Sequence, residues 1–190
     1  MTTDPTPAEE APPALGTVLE AERGSLPFAL IHGEALVACA AWALGEAGVT
    51  PYDHGTTWEA LVASGEAVVL HDALCPMTPP AFIAECVRTS VASSVVVVGV
   101  RPVTDTVKQL DGPDVGATID REELVVVTSP IVVPPDVVAS WEGPPSADFA
   151  AIAAGLAARF PVATLQAPPE GRRVASTDDV RLLEALTRPR

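Results

Sequence analysis

Lysine is almost absent from this 190-residue chain: Lys108 is the single one, and lysine and arginine together number 11 against 25 acidic residues. The formal net charge of −14 at pH 7 argues against nucleic acid or an anionic membrane as a partner drawn by the bulk field. Any anionic ligand must be held locally, by arginines, Lys108 and backbone donors. Cysteine is scarce as well. Cys39, Cys75 and Cys86 are widely spaced and match neither a zinc ligand set nor a disulfide framework, which points to the cytoplasm. Long apolar runs are missing: stretches such as 95–98 and 124–127 are far too short to span a bilayer. No basic segment precedes an apolar stretch near residue 1, so no signal peptide is expected. Neither a Ser-His-Asp order, nor a phosphate loop, nor a dinucleotide fingerprint, nor an internal repeat is present.

What the chain does contain is enough apolar material for a core: 48% of its residues are hydrophobic. Residues 1–13, rich in Pro, Thr and Glu, are expected to be a disordered tail, followed by one domain over 14–190. Strands are expected at 15–19, 67–71, 95–100, 124–128 and 162–165, with 67–71 apolar on both faces as in a doubly covered sheet. Helices are expected at 35–47, at 78–90 with Thr78 as N-cap and Pro79 in the first helical position, at 135–141, at 148–159, and after Ser176. Asp179, three residues past Ser176, suits a capping box. Residues 20–27 and 49–58 read as irregular. Strands alternating with helices imply a mostly parallel sheet in a three-layer α/β/α sandwich, Rossmann-like.

In such folds the ligand lies beyond the carboxyl ends of the strands. Three loop segments stand there: His71-Asp72-Ala73-Leu74-Cys75-Pro76, then Asp105-Thr106-Val107-Lys108, then Thr118-Ile119-Asp120-Arg121. The first two follow strands of one sheet and so share one edge. An Asp at a strand end orients a hydroxyl, holds a metal ion, or simply closes a turn. A Thr hydroxyl donates to phosphate, and an Arg grips it bidentately or pairs with a surface carboxylate. His71 reads as a structural histidine rather than a catalytic one. Together these residue types suit a phosphorylated polyol.

The run from about 67 to 131 resembles the 2-C-methyl-D-erythritol 4-phosphate cytidylyltransferases of the isoprenoid pathway. Those proteins carry a His-Asp-Ala-Ala-Arg-Pro loop, an Asp-Thr-x-Lys loop, a Thr-x-Asp-Arg turn and a Thr-Pro-Gln eight residues after the Arg. Here the last of these reads Ser129-Pro130-Ile131, with the spacing kept. Near the C-terminus, Arg173-Val174-Ala175-Ser176-Thr177-Asp178-Asp179-Val180 is similar to the family's basic residue and helix start. The resemblance covers about two-thirds of the chain. It implies a nucleotide-diphospho-sugar transferase fold, a homodimer, Mg²⁺, and transfer of CMP from CTP to a sugar-alcohol phosphate. By the match, Thr106, Arg121, Ser129 and Arg173 hold the sugar phosphate, Asp105 and Lys108 flank them, and Asp72 lies near the hydroxyls or the metal. The arm, about 101–121, crosses to the other subunit.

The chain departs from the family at its opening. Where a Gly-rich loop, an Arg and a Pro-Lys pair hold the triphosphate, it has Glu20, Glu22, Arg23, Pro27 and Phe28, so Arg23 alone is left as a catalytic cation. A carboxylate about 4 Å from a phosphate charge costs roughly 1 kcal/mol in water and several at lower dielectric. Nucleotidyl transfer depends on charge stabilisation and positioning. The cytidine-contacting Gly-Gly loop and the family's second strand are also missing from 48–66, and Cys75 stands where the His-Asp loop has Arg. The expectation is a family member with reduced or lost transfer, or a non-catalytic homologue serving as a dimeric scaffold.

Overall fold

The computed structural model describes residues 11–53, 55–112 and 114–188. A six-stranded sheet runs in the order β10 (Val162–Gln166), β6 (Val96–Pro102), β9 (Val125–Val133), β5 (Ala67–Asp72), β1 (Ala14–Leu19), β4 (Thr50–Pro51). β1 pairs in parallel with β4 and β5, and β10 with β6. β9 is antiparallel to both of its neighbours. The sheet is thus mostly parallel, with one reversed strand.

The two faces are set by the period of two along each strand. Val69, Val97 and Val132 face α1 (Leu36–Glu46) and α3 (Pro80–Ser93), among Leu44, Ile83 and Val87. Val68, Leu70, Val96, Val98, Ile131 and Val133 face the opposite way, onto α4 (Pro135–Val138) and α5 (Phe149–Ala157). Every residue of β5 is buried, which is why its sequence shows no polar alternation until His71 and Asp72. Each such Val or Leu contributes about 1.5–3 kcal/mol on burial. A smaller cluster of Ile31, Leu36, Leu74, Val174, Val180 and Leu183 ties α6 (Thr177–Leu186) to the hairpin of β2 (Leu30–Ile31) and β3 (Glu34–Ala35). The architecture is the expected α/β/α sandwich with an arm, the latter a hairpin of β7 (Val107–Asp111) and β8 (Asp114–Ile119).

Several local expectations are corrected. Residues 49–66 are not a bare link: they form the two-residue β4 and α2 (Trp58–Ser64). α2 starts on a Thr57 cap, whose hydroxyl accepts from the Ala60 amide, and ends at Gly65 in the left-handed region. Thr78 does not cap α3. Its hydroxyl donates to the Cys75 carbonyl at 2.9 Å, and Pro79 takes the cap position. β9 runs five residues beyond the expected stop at Thr128. The capping box of α6 is present, with the Asp179 amide donating to Ser176 Oγ at 3.2 Å, while the Asp179 carboxylate accepts from the Ala175 amide at 3.0 Å. Of the expected tail, residues 1–10 lie outside the described residues, and 11–13 lead into β1 without regular structure.

Candidate functional site

Register places the first residues of the site. Leu19 is opposite Asp72 at the ends of β1 and β5, so the loop that leaves β1 begins beside that carboxylate. After Asp72 the chain turns, with the Leu74 amide donating to Asp72 Oδ1 at 3.0 Å and the Cys75 amide to the Asp72 carbonyl at 2.9 Å. The Leu74 carbonyl then accepts from the Val174 amide at 2.8 Å, which brings the segment before α6 to the same edge.

Two arginines converge as a result. Arg23 Nη2 lies 3.3 Å from Asp72 Oδ2, and Arg173 Nε donates to that same oxygen at 3.0 Å. The Asp72 side chain is 1% exposed, that of Arg23 11% and that of Arg173 30%, so the pairing is largely shielded from water. Arg23 also donates to the Ala147 carbonyl, while its Nε is buried without a partner. The two guanidinium groups and the carboxylate they share sit at the floor of a cavity of about 620 Å³, which is lined by Glu22, Arg23, Arg173, Val125, Asp148 and Phe149 among others, so that two further carboxylates stand on its wall. Asp148 is committed to α5, accepting from the Ala150 and Ala151 amides at 2.9 and 3.2 Å.

Beneath this edge sits a polar cluster closed to solvent. Ser129 Oγ accepts from the Asp72 amide at 3.0 Å and is hydrogen-bonded to Nδ1 of His71. Ser129 and His71 are both fully buried. Burial holds the His71 pKa down at about 3, so the ring is neutral. Burial also pushes the Cys75 thiol well up, with Asp72 adding to it, so Cys75 is neither a nucleophile nor a stand-in for the missing arginine.

The His71 shift predicts an acid-sensitive fold. Unfolded His71 takes up a proton below its ordinary pKa near 6.5, whereas the native ring resists until about pH 3. The unfolded state therefore binds more protons between those limits, and stability falls as pH drops, by up to about 1.4 kcal/mol per unit. Urea midpoints measured from pH 7 to 4 should fall for the native sequence and fall less for His71→Gln. Parallel slopes would remove His71 as the cause.

Not all the expected residues come together within one chain. Asp72, Arg23 and Arg173 do. Thr106, Asp120 and Arg121 instead line a separate cavity of about 400 Å³ on the arm, with Thr118 and Ile119. There Arg121 Nη1 donates to the Thr104 carbonyl at 3.0 Å. Lys108 lies opposite Thr118 in the hairpin and donates to its hydroxyl. Asp105 is exposed just before it. Ser129, expected on the phosphate, is fully buried within this chain, where it ties β9 to β5. Asp72 likewise presents no free face for a hydroxyl or a metal, because guanidinium groups occupy Oδ2 and the Leu74 amide Oδ1. A divalent ion needs several oxygen donors. Among the described residues no three His, Cys, Asp or Glu side chains group to hold one, so a Mg²⁺ here would rest on one or two carboxylates and the oxygens of a bound phosphate ligand. Phe28, at the position expected for Lys, is 60% exposed and is not part of the cavity wall.

Sequence reasoning missed the sharing of one carboxylate by Arg23 and Arg173, and the walls supplied by Val125 and Phe149. Arg23 and Arg173 are 150 positions apart, and their meeting depends on the Leu74–Val174 hydrogen bond, for which the sequence carries no local signal.

The model of the 2-C-methyl-D-erythritol 4-phosphate cytidylyltransferase (IspD) family matches residues 55–142. A protein of that name from Saccharopolyspora erythraea is 33% identical over 131 residues, 67% of this chain and 58% of its own length. One from Corynebacterium diphtheriae is 34% identical over 106 residues, 55% of this chain and 38% of its own. The chain thus spans little more than half of the first relative. The crystal structure of a cytidylyltransferase of this name from Thermus thermophilus superimposes with a TM-score of 0.66 at 20% identity, covering 93% of this chain and 98% of the other, a likeness of fold. No helix among the described residues is long and apolar enough to cross a membrane. The chain belongs to the 2-C-methyl-D-erythritol 4-phosphate cytidylyltransferase family.

Proposed function

We propose that this family member binds a sugar-alcohol phosphate of the isoprenoid pathway and has reduced or lost transfer of CMP from CTP. The observation that carries this reading is the Arg23–Asp72–Arg173 arrangement. It places two guanidinium groups at one cavity, donors whose geometry suits a phosphate monoester. It also consumes the one cation left in the opening loop, since Arg23 is held on Asp72 and the Ala147 carbonyl. A triphosphate entering there would meet Glu22 and Asp148 on the cavity wall and no lysine.

In this reading the protein works as a homodimer. Leu110 and Val115 on the arm are 73% and 69% exposed, and Val125 at its base 55%, an apolar surface that a second copy would cover. That copy's Thr106 and Arg121 would complete the phosphate site, with Arg173 and Arg23 of the first chain below. Hydroxyls of the polyol would reach Asp72 only by displacing one guanidinium, so the ligand phosphate and Asp72 compete for the same cations. The exposed arm equally supports the second reading, a dimeric scaffold without catalysis.

Isothermal titration calorimetry with methylerythritol phosphate and with CTP plus Mg²⁺ separates these readings. Binding of the sugar phosphate without CTP is expected. Arg121→Ala should weaken that binding by about 1.5–3 kcal/mol. Micromolar CTP binding with turnover would overturn the loss of transfer. Silence toward both ligands, with the dimer intact, would leave the scaffold.

A further inference from the structure

A second groove lies on the α3 face of the sheet, at the carboxyl ends of β6 and β10, and takes no part in the site above. It is about 600 Å³ and is lined by Phe82, Glu85 and Arg88 of α3, Arg101 of β6, Gln166 of β10 and Pro168, among others. We infer that it is an anion site, taking a small molecule that carries a phosphate or carboxylate on an apolar body.

The argument is electrostatic. In a chain with 25 acidic residues against 11 basic ones, two guanidinium groups on one groove without a paired carboxylate reverse the overall field locally. Arg23, Arg173 and Arg181 are paired with carboxylates, and of the other described arginines Arg88 and Arg101 are the two that share a groove. Arg88 and Arg101 face one groove, both half-buried, and among the described residues neither comes within salt-bridge distance of a carboxylate. Glu85 shares the groove three residues before Arg88 and does not pair with it, so the lining keeps a net positive charge.

Arg101 is also held in place. Its Nη1 donates to the Ala167 carbonyl at 3.0 Å. Ala167 is 1% exposed, and its amide donates to the Val100 carbonyl at 2.8 Å. One arm of the fork is thus fixed to the sheet, and the rest has no protein partner among the described residues, the pre-organised state that suits bidentate capture of an oxyanion. The Arg88 side chain, on α3, has no hydrogen-bond partner among the described residues. The Gln166 side chain adds an amide donor at the rim. Phe82 and the prolines at 79, 168 and 169 give the groove apolar walls, which calls for an apolar body behind the anion rather than a bare inorganic ion.

Titration calorimetry of the full chain with phenyl phosphate, benzoate and benzyl alcohol, read beside amide NMR shifts, tests this. Saturable binding of phenyl phosphate, benzoate or both is expected, with none for benzyl alcohol and with shifts at Phe82, Gln166 and Ala167. The arms show which oxyanion is preferred. Arg88→Gln and Arg101→Gln should each weaken this binding at least tenfold. Arg173→Gln, which disables the other cavity, should leave it intact, so failure here is distinguishable from failure of the sugar-phosphate reading. Arg101→Lys, which keeps the charge and stem but loses the fork, serves where Arg101→Gln does not fold. The inference is overturned by absence of saturable binding at millimolar ligand or by equal affinity in both arginine variants. It is also overturned by shifts confined to residues 125–127 and 148–150, or by dissociation of an oligomer on substitution, since the arginines would then face a second copy.

Discussion

Asp72→Ala should cost the fold about 3–5 kcal/mol, measured as the shift in urea unfolding at pH 7. The loss does not come from the salt bridges as such. It comes from what remains when the carboxylate is gone. The Arg23 side chain is 11% exposed, with Nε already lacking a partner, and would become a buried cation held only by the Ala147 carbonyl. Arg173, 30% exposed, can swing toward water and accounts for the smaller part. The Leu74 amide loses its acceptor as well, and with it the turn that places Val174. Removing the cation too should restore much of the loss, because an apolar residue of similar length leaves no buried charge. Asp72→Ala combined with Arg23→Met is therefore expected to be more stable than Asp72→Ala alone. A single-variant cost below about 1 kcal/mol would mean that water reaches the pair freely, and the cavity would then lose its claim to a low-dielectric floor.

That asymmetry also explains what could be read in advance. The apolar segments at 67–71 and 95–100 identify buried strands because a doubly covered strand needs no polar face, and both appear within two residues of expectation. Asp72 is visible as a strand-end carboxylate for the same reason, since polarity returns where the sheet ends. The arm is legible from its motif spacing and its lack of core residues. The partners of Asp72 are not legible. Arg23 and Arg173 reach it through a β1–β5 register and a Leu74–Val174 contact that are properties of the assembled chain. The surroundings of Ser129 are not legible for a related reason. A Ser-Pro pair after a short apolar run looks like a loop hydroxyl, whereas here the strand continues to Val133 and turns that hydroxyl inward.

What lets β9 continue past Ser129 and Pro130 is Gly99. The pairing of β6 with β9 shifts between Val98 and Val100, an irregularity centred on this glycine. A Cβ added to Gly99 would stand 2.7 Å from the Ser129 carbonyl oxygen and 2.9 Å from its carbon, distances no side chain tolerates against backbone. Gly99→Ala must therefore push β9 away from β6 by part of an ångström, at the point where Ser129 ties His71 and the Asp72 amide. A cost of about 1–3 kcal/mol is expected from the forced repacking, along with weaker binding of any ligand that uses the Arg23–Arg173 cavity, whose wall includes Val125, Val126 and Val127 of the same strand. The comparison is Gly155→Ala in α5, where an added Cβ meets nothing within 4 Å. There the gain in helix propensity should stabilise the protein by about 0.5–1 kcal/mol. Opposite signs for the two substitutions in one unfolding series would assign Gly99 to the close approach of two strands. Equal and small effects would instead show that β9 has room to move, and that the buried link from Ser129 to Asp72 does not depend on how closely β6 and β9 approach.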